Sequence, residues 1–172
     1  MSGLDFLSPG LARSENGFAP VWRSPLKRAL RDAPPGIRDL SHTGKLDVRA
    51  GPDIGELDIA ELGDGVKVVR ITPERALLLC PAEDVARHLE QLGARGRSVA
   101  DLTSALAGLQ VTGAQLLRRL TDLDLDALPA VGAVAHTPAT LLREGEKFGF
   151  FFPQEYADHV AEVVLDAAAG LR

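Results

Sequence analysis

Two similar patterns of apolar and polar residues follow each other along the chain. An apolar run at residues 76–80 is followed by a proline and then an acidic residue, and the same order recurs at residues 148–155. Upstream of each run, a short strand-like segment ends in glycine, at residues 46–51 and 109–113. Apolar residues at helical spacing come after each proline. This repetition predicts one supersecondary unit that is used twice.

Residues 37–49 have the alternation of a β-hairpin. Two short extended stretches flank a predicted turn at residues 41–44. Because successive side chains of a strand point to opposite faces, Leu46 and Val48 are expected on the buried face and Lys45 on the solvent face. The pattern therefore favours a local hairpin with one face buried.

The remaining elements follow from apolar runs, turn residues and helix-start signals. Ser24 followed by proline is a signal for a short helix, and the terminal residues from Pro153 onward have helical periodicity. Strands are expected at residues 66–71, 76–80 and 106–111, and helices after Pro81 and Gly113. Residues 140–143 and 148–152 are expected to form a hairpin around a turn at residues 144–147. Strand, helix, strand, strand, helix is the order of a split βαβ unit. We expect an α+β fold of two ferredoxin-like units with mainly antiparallel sheets.

The same pattern divides the chain into three parts. Residues 1–22 contain Ser, Gly, Pro and Asn without a sustained period, so they are expected to be a flexible N-terminal arm. Residues 23–96 are predicted to form the first α+β unit and residues 97–172 the second. Together the two units are expected to make one compact domain.

Composition excludes several classes of protein. A chain of 172 residues is long enough to bury a core without metal or disulfides. The net charge of −5 argues against a nucleic-acid-binding protein. The sequence contains no apolar run long enough to span a bilayer and no apolar leader, so a cytoplasmic location is expected. The single Cys80, at the end of an apolar run, is interpreted as a buried hydrophobic residue.

A basic segment stands out against the acidic composition. Arg23, Lys27 and Arg28 begin a stretch in which Asp32 is the one acidic residue before Gly36. These cations are candidates for docking an acidic partner surface, and a solvated helix face is the alternative.

The motifs give no independent catalytic set. His42 follows Ser41, but adjacent residues usually point in different directions and no third group is fixed by the sequence. His42 is kept as a candidate that faces a partner or a ligand. The glycines match neither a phosphate-binding loop nor a dinucleotide fingerprint, and no metal site is predicted from the spacing of His, Cys, Asp and Glu.

The block at residues 36–48, with Ser41, His42, Gly44 and Lys45, resembles the glycine cleavage T-protein, a folate-dependent aminomethyltransferase. The likeness is collinear over residues 23–168. It implies the folate-binding aminomethyltransferase type of fold. The sequence is much shorter than a T-protein, so that family's C-terminal barrel is not expected in it.

In length, the chain is similar to the gamma subunit of heterotetrameric sarcosine oxidase. The segment at residues 23–26, Arg-Ser-Pro-Leu, resembles the start of that subunit. This resemblance implies a small subunit without catalytic residues of its own, docked to larger flavoprotein subunits that carry FAD or FMN and NAD. It would stabilise an amine oxidase or dehydrogenase of the sarcosine type.

The resemblance to the T-protein also implies candidate folate-binding carboxylates. Asp64 lies near the position of that family's acidic folate residue, and Glu144 or Glu146 takes the place of the glutamate that reads the pterin ring. Bound tetrahydrofolate is thus a second hypothesis, in which the chain is a one-carbon transfer domain. A small-ligand-binding regulatory homodimer is the third.

Overall fold

The computed structural model describes residues 23–49, 62–63 and 65–171. In this part of the chain the fold is α+β, with two antiparallel sheets and few helices. The predicted fold class is confirmed. The expected arm at residues 1–22 lies outside the described residues.

The described residues include nine strands and three α-helices. The strands are β1 (Ile37–Asp39), β2 (Gly44–Arg49), β3 (Lys67–Thr72), β4 (Arg75–Cys80), β5 (Ser98–Asp101), β6 (Leu106–Thr112), β7 (Ala130–Val134), β8 (Thr137–Glu144) and β9 (Lys147–Pro153). The α-helices are α1 (Val85–Ala94), α2 (Ala114–Leu117) and α3 (Ala157–Ala169).

The strand order within the described residues gives the two sheets the same plan. One sheet has the order β3-β4-β2-β5, and the other has the order β1-β6-β9-β8-β7. In the smaller sheet, β2 is the first strand of its unit and pairs with the third strand, β4. In the larger sheet, β6 is the first strand and pairs in the same way with β9. This is the arrangement of a split βαβ unit, with β7 added at one edge of the larger sheet.

The predicted repeat is seen where each third strand leads into a helix. Pro81 follows β4 and Pro153 ends β9, and a 3₁₀ turn then connects each to α1 or α3. Proline suits this position because its missing N–H would have no intrahelical partner there and its φ is already helical. The same local chemistry therefore starts both long helices.

The predicted hairpin at residues 37–49 is wrong. β1 pairs with β6, Ile37 lying opposite Val111, whereas β2 pairs with β4 and β5. The turn between β1 and β2 carries the chain from one sheet to the other. Alternation identifies the buried face of a strand but not its neighbour, so two adjacent short strands look like a hairpin when they belong to different sheets.

The pairing of strands crosses residue 97, where the sequence pattern divides the two predicted units. β1, near the start of the expected first unit, is an edge strand of the larger sheet. β5, at residues 98–101, completes the smaller sheet beside β2. The smaller sheet is thus built from residues 44–101 and the larger one from residues on both sides of that segment.

The helix expected after Ser24 is a series of turns. The Leu26 N–H donates to Ser24 Oγ at 3.1 Å, as the predicted cap requires. The Leu30 N–H bonds to Leu26 O at 2.9 Å, but the neighbouring bonds are of the shorter i→i−3 type. A segment this short, ended by Pro34, cannot offset the cost of starting a regular helix.

The two sheets pack face to face, and helices cover their outer faces. Between the sheets lie the apolar side chains Val69, Leu77, Leu79, Leu142 and Phe151. A second cluster joins the outer face of the smaller sheet to α1 through Leu92, and a third joins the outer face of the larger sheet to α3 through Val160 and Val164. The result is a four-layer arrangement in which central strands are buried on both faces.

Gly93, near the end of α1, offers a stabilising substitution. A Cβ added there would meet no heavy atom within 4 Å among the described residues. Gly93→Ala is expected to raise the free energy of unfolding by about 0.5 kcal/mol, because alanine loses less backbone entropy in a helix. Urea denaturation of both chains measures the difference. A loss of stability would mean that the end of α1 is not helical in solution.

Candidate functional site

Two chain crossings between the sheets lie side by side. Residues 40–45 form the first and residues 102–108 the second, and together they are called the junction below. The Lys45 N–H donates to Thr103 Oγ1 at 3.1 Å, and the Leu102 N–H donates to Lys45 O at 2.8 Å. The Leu40 N–H donates to Gly108 O, also at 2.8 Å. Backbone bonds therefore join the two crossings along their length.

Ser41 has a structural position in the junction. Its N–H donates to Asp39 Oδ1 at 2.8 Å, and its buried hydroxyl accepts the Gly108 N–H at 3.2 Å. The hydroxyl thus bonds to the backbone of β6. This bonding fits the sequence interpretation that Ser41 and His42 are not a nucleophile and its base.

Lys45 lies at the centre of the junction and is fully buried. Its Nζ donates to Thr43 O at 2.6 Å, Ser41 O at 2.8 Å and Thr103 O at 3.1 Å. Burial lowers the pKa of this amine to about 8, while the charges of Asp101 and Asp39 oppose the shift. At neutral pH, the ammonium therefore has one proton for each of the three carbonyls.

The burial of Lys45 corrects the prediction that it faces solvent. The alternation was read correctly, since Leu46 and Val48 do pack against α1. The opposite face of β2 is also covered, because Lys45 Nζ lies 5.9 Å from the centre of the Phe151 ring in the larger sheet. Sequence reasoning missed the burial of Lys45. The available signal was the neighbouring Gly44, a residue type that permits close packing.

Gly44 is required by close packing. A Cβ there would lie 2.5 Å from Val85 Cγ2 and 2.8 Å from Cys80 Sγ. Burial raises the pKa of the Cys80 thiol to about 11, and the negative charge of Asp84 adds to the shift. The thiol is therefore protonated at neutral pH and behaves as a small apolar group, as the sequence indicates.

A cleft of about 420 Å³ opens between the sheets next to the junction. Its floor consists of Leu40, Leu79, Leu142 and Phe151. The polar and charged residues around it are His42, Thr43, Lys67, Glu83, Gln110 and Glu144. The volume is within the range of small-molecule sites, and the lining combines an apolar floor with groups of both charges.

An ion pair bridges the two sheets at this cleft. Lys67 begins β3 of the smaller sheet, and its Nζ donates to Glu144 Oε1 at the end of β8 in the larger sheet. Both side chains are about half exposed, at 49% and 46%. A pair this accessible contributes about 0–1 kcal/mol to stability, so a ligand could replace either partner at small cost.

The sequence-predicted site residues fall in different places. His42 and Glu144 line the same cleft. Glu146, across the tight turn at Gly145, lines a separate groove beside Pro34 and α2. Asp64 lies outside the described residues. The structure thus brings together one of the three candidate folate carboxylates and the candidate histidine.

The basic candidates line a groove away from the cleft. Arg23, Lys27, Arg28 and Arg31 surround about 570 Å³ of space. Arg28 also bridges to Asp158 at the start of α3, at 2.8 Å. The groove is therefore held against the larger sheet's helical layer.

The helical pattern after Pro81 predicts His88 on the helix surface, and this prediction is wrong. His88 on α1 is fully buried, and no hydrogen-bond partner of its Nδ1 is found among the described residues. Burial and the nearby charge of Arg87 lower its pKa, which favours the neutral ring. His88 does not line the cleft, so it adds nothing to the chemistry there.

Among the described residues, no group of three His, Cys, Asp or Glu side chains is placed to hold a metal ion. Those residues also include no helix of the length and apolar character needed to span a membrane.

Comparison with known proteins identifies the fold. No family of known proteins matches the sequence, and neither does any curated protein. A chain of the heterotetrameric sarcosine oxidase from Corynebacterium sp. U-96 superposes with a TM-score of 0.68 at 22% identity, over 87% of this chain and 95% of that one. The likeness therefore extends over nearly the whole of both chains.

Two further solved structures share the architecture. The glycine cleavage system aminomethyltransferase T from Bartonella henselae matches with a TM-score of 0.55 at 20% identity, over 82% of this chain and 48% of that one. The regulatory subunit of aspartate kinase from Thermus thermophilus matches with a TM-score of 0.51 at 12% identity, over 77% of this chain and 97% of that one. The class defined here is thus a fold shared by the sarcosine oxidase chain, the aminomethyltransferase and the regulatory subunit.

Proposed function

We propose that this chain is an accessory, non-catalytic subunit of a heteromeric amine oxidase or dehydrogenase, similar in role to the gamma subunit of heterotetrameric sarcosine oxidase. The larger flavoprotein subunits would carry FAD or FMN and NAD. The observation that carries the proposal is the end-to-end structural likeness to a chain of that assembly, which covers 95% of the matched chain. A match over the whole of a subunit supports an equivalent place in a complex.

The chemistry of the junction supports the same proposal. Ser41, Gly44 and Lys45, which dominate the block that resembles the aminomethyltransferase family, are occupied by backbone bonds and packing. Within the described residues, no nucleophile is hydrogen-bonded to a base that a third group orients. A structural subunit needs no such set, whereas a hydrolase that acts through a covalent nucleophile would.

A second candidate, folate-dependent one-carbon transfer, is favoured by the position of Glu144. This carboxylate lies at a cleft large enough for a small ligand, beside an exposed histidine. The chain spans about half of the aminomethyltransferase that it matches, so that enzyme's activity would require residues supplied from elsewhere. Under this hypothesis, the isolated chain binds tetrahydrofolate.

Purification of the tagged full chain from its native cells tests the first candidate. Recovery of larger subunits with flavin absorbance, identified by mass spectrometry, is the expected result. A bare chain would overturn the accessory role, and a bare chain that forms a stable dimer and binds no folate would favour the regulatory alternative. A tagged acidic protein of similar size serves as the control for non-specific capture.

Calorimetric titration with tetrahydrofolate tests the second candidate. If folate uses the cleft, Glu144→Gln should weaken binding about ten-fold, because it removes a charged hydrogen-bond acceptor from the ligand. Glu146→Gln is the matched control, since it makes the same change at the groove outside the cleft. Equal affinities for the two variants would exclude Glu144 as a ligand to folate.

A further inference from the structure

The basic groove formed by Arg23, Lys27, Arg28 and Arg31 has a strongly acidic neighbour. Arg28 is paired with Asp158, the first carboxylate on the exposed side of α3. Glu162 and Asp166 follow on the same helix at four-residue spacing, and both are exposed. A cationic surface and an anionic surface therefore meet at the Arg28–Asp158 ion pair.

The nearer of the two following carboxylates on α3 lies within one electrostatic screening length of Asp158. Residues four apart in an α-helix are separated by about 6 Å along the axis, so Glu162 and Asp166 lie about 6 Å and 12 Å from Asp158. The screening length at physiological salt is about 8 Å. A molecule that sits in the groove and extends past Arg28 therefore experiences the carboxylates of α3 as well.

We propose that the groove and α3 together form one docking surface for a partner protein whose acidic residues face the groove and whose basic residues face α3. The inference rests on the accessory role proposed above and assigns the surface through which it is carried out. A surface with two signs of charge fixes the orientation of a protein partner, because rotating the partner places like charges against each other.

The same arrangement disfavours other polyanions. DNA and anionic vesicles have negative charge that extends well beyond the groove, so they meet the carboxylates of α3. The net charge of −5 adds a longer-range repulsion. An acidic patch limited to the size of the groove avoids this repulsion, and a folded protein surface offers such a patch.

The test uses the flavoprotein subunits that co-purify with the wild-type chain, released and then titrated onto immobilised full-length variants. Lys27→Glu with Arg31→Glu is expected to weaken binding about ten-fold or more and to reduce its dependence on salt. Glu162→Lys with Asp166→Lys should weaken it as well. Arg70→Glu with Arg97→Glu, on the smaller sheet's unit, makes the same change of charge elsewhere and should leave binding near that of the wild type.

The outcomes separate this inference from the accessory role. If flavoprotein subunits bind all variants equally, the docking surface is refuted while the accessory role stands. If the wild-type chain recovers no flavoprotein, the accessory role fails, and the surface is judged with a short oligoglutamate peptide, duplex DNA and phosphatidylserine vesicles. Peptide binding that Lys27→Glu with Arg31→Glu abolishes supports the surface. The proposed surface is overturned if the chain binds DNA or vesicles more tightly than the peptide, or if it does not bind the peptide.

Discussion

Lys45→Met is expected to lower the free energy of unfolding by about 3 kcal/mol at pH 7, because three buried carbonyl oxygens lose a charged donor. Methionine fills most of the volume, so the loss reports the hydrogen bonds rather than a cavity. Chemical denaturation measures the change. Lys147→Met, at an exposed position, is the matched control and is expected to change stability by less than about 0.5 kcal/mol.

The pH dependence of this difference has a definite sign. The pKa of Lys45 is about 8 in the folded chain and has an ordinary value of 10.5. Between these values, the unfolded chain binds more protons than the folded chain, so the stability of the wild type rises with pH relative to the variant. The rise is at most about 3 kcal/mol. A difference that stays constant from pH 8 and narrows only above about pH 10.5 would mean that the three carbonyls hold the proton more strongly than burial expels it.

Gly108→Ala is expected to cost about 2 kcal/mol of stability. The added Cβ would lie 2.6 Å from Phe151 Cε1 and 3.0 Å from Leu40 O, at a point where both crossings of the junction meet. Because Gly108 also accepts the Leu40 N–H, a local shift of β6 weakens the hydrogen bonds of the first crossing. Thermal and urea denaturation measure the loss, with Gly93→Ala as the matched glycine substitution in open space.

A second substitution distinguishes steric strain from a general weakening of β6. Phe151→Leu removes the ring atoms that the new Cβ would meet, so the double variant should be more stable than the sum of the two single effects by about 1 kcal/mol. If the effects of the two substitutions on stability simply add, the Phe151 ring does not obstruct the new Cβ, and the Leu40 carbonyl oxygen is the group that does.

The local features of the fold could be predicted from the sequence. The apolar runs that form β4 and β9 are continuous because those strands are buried on both faces. Pro81 and Pro153 mark where the following helices begin. These signals depend on residues near each other in the chain, and so the repeated unit was visible.

The pairing of strands and the surroundings of Lys45 could not be predicted in the same way. Both depend on which sheet covers which face, and that is decided by contacts between β2 and distant parts of the chain. Lys45 has the spacing of a solvent-facing residue, and only the packed second sheet makes it buried. A hairpin interpretation was therefore natural for residues 37–49 and also incorrect.

Sequence reasoning named single residues of the cleft but did not group them. His42 and Glu144 were each singled out, and their common cleft arises from the packing of the two sheets. Lys67, the partner of Glu144, carried no sequence signal beyond being a charged residue at the start of a strand. Glu146 was grouped with Glu144 because only Gly145 separates them in the sequence, and the turn at Gly145 places Glu146 in a different groove.

The course of the chain through the sheets bears on how the protein assembles during synthesis. Residues 44–101 complete the smaller sheet without any later strand, and their two ends meet where the Leu102 N–H bonds to Lys45 O. β1 is made earlier, but its neighbour β6 leaves the ribosome only after that whole segment. The smaller sheet is therefore the first whose strands are all available in a nascent chain. It can form while the larger sheet still lacks β6 and the strands that follow. The larger sheet, which takes strands from both ends of the chain, closes last.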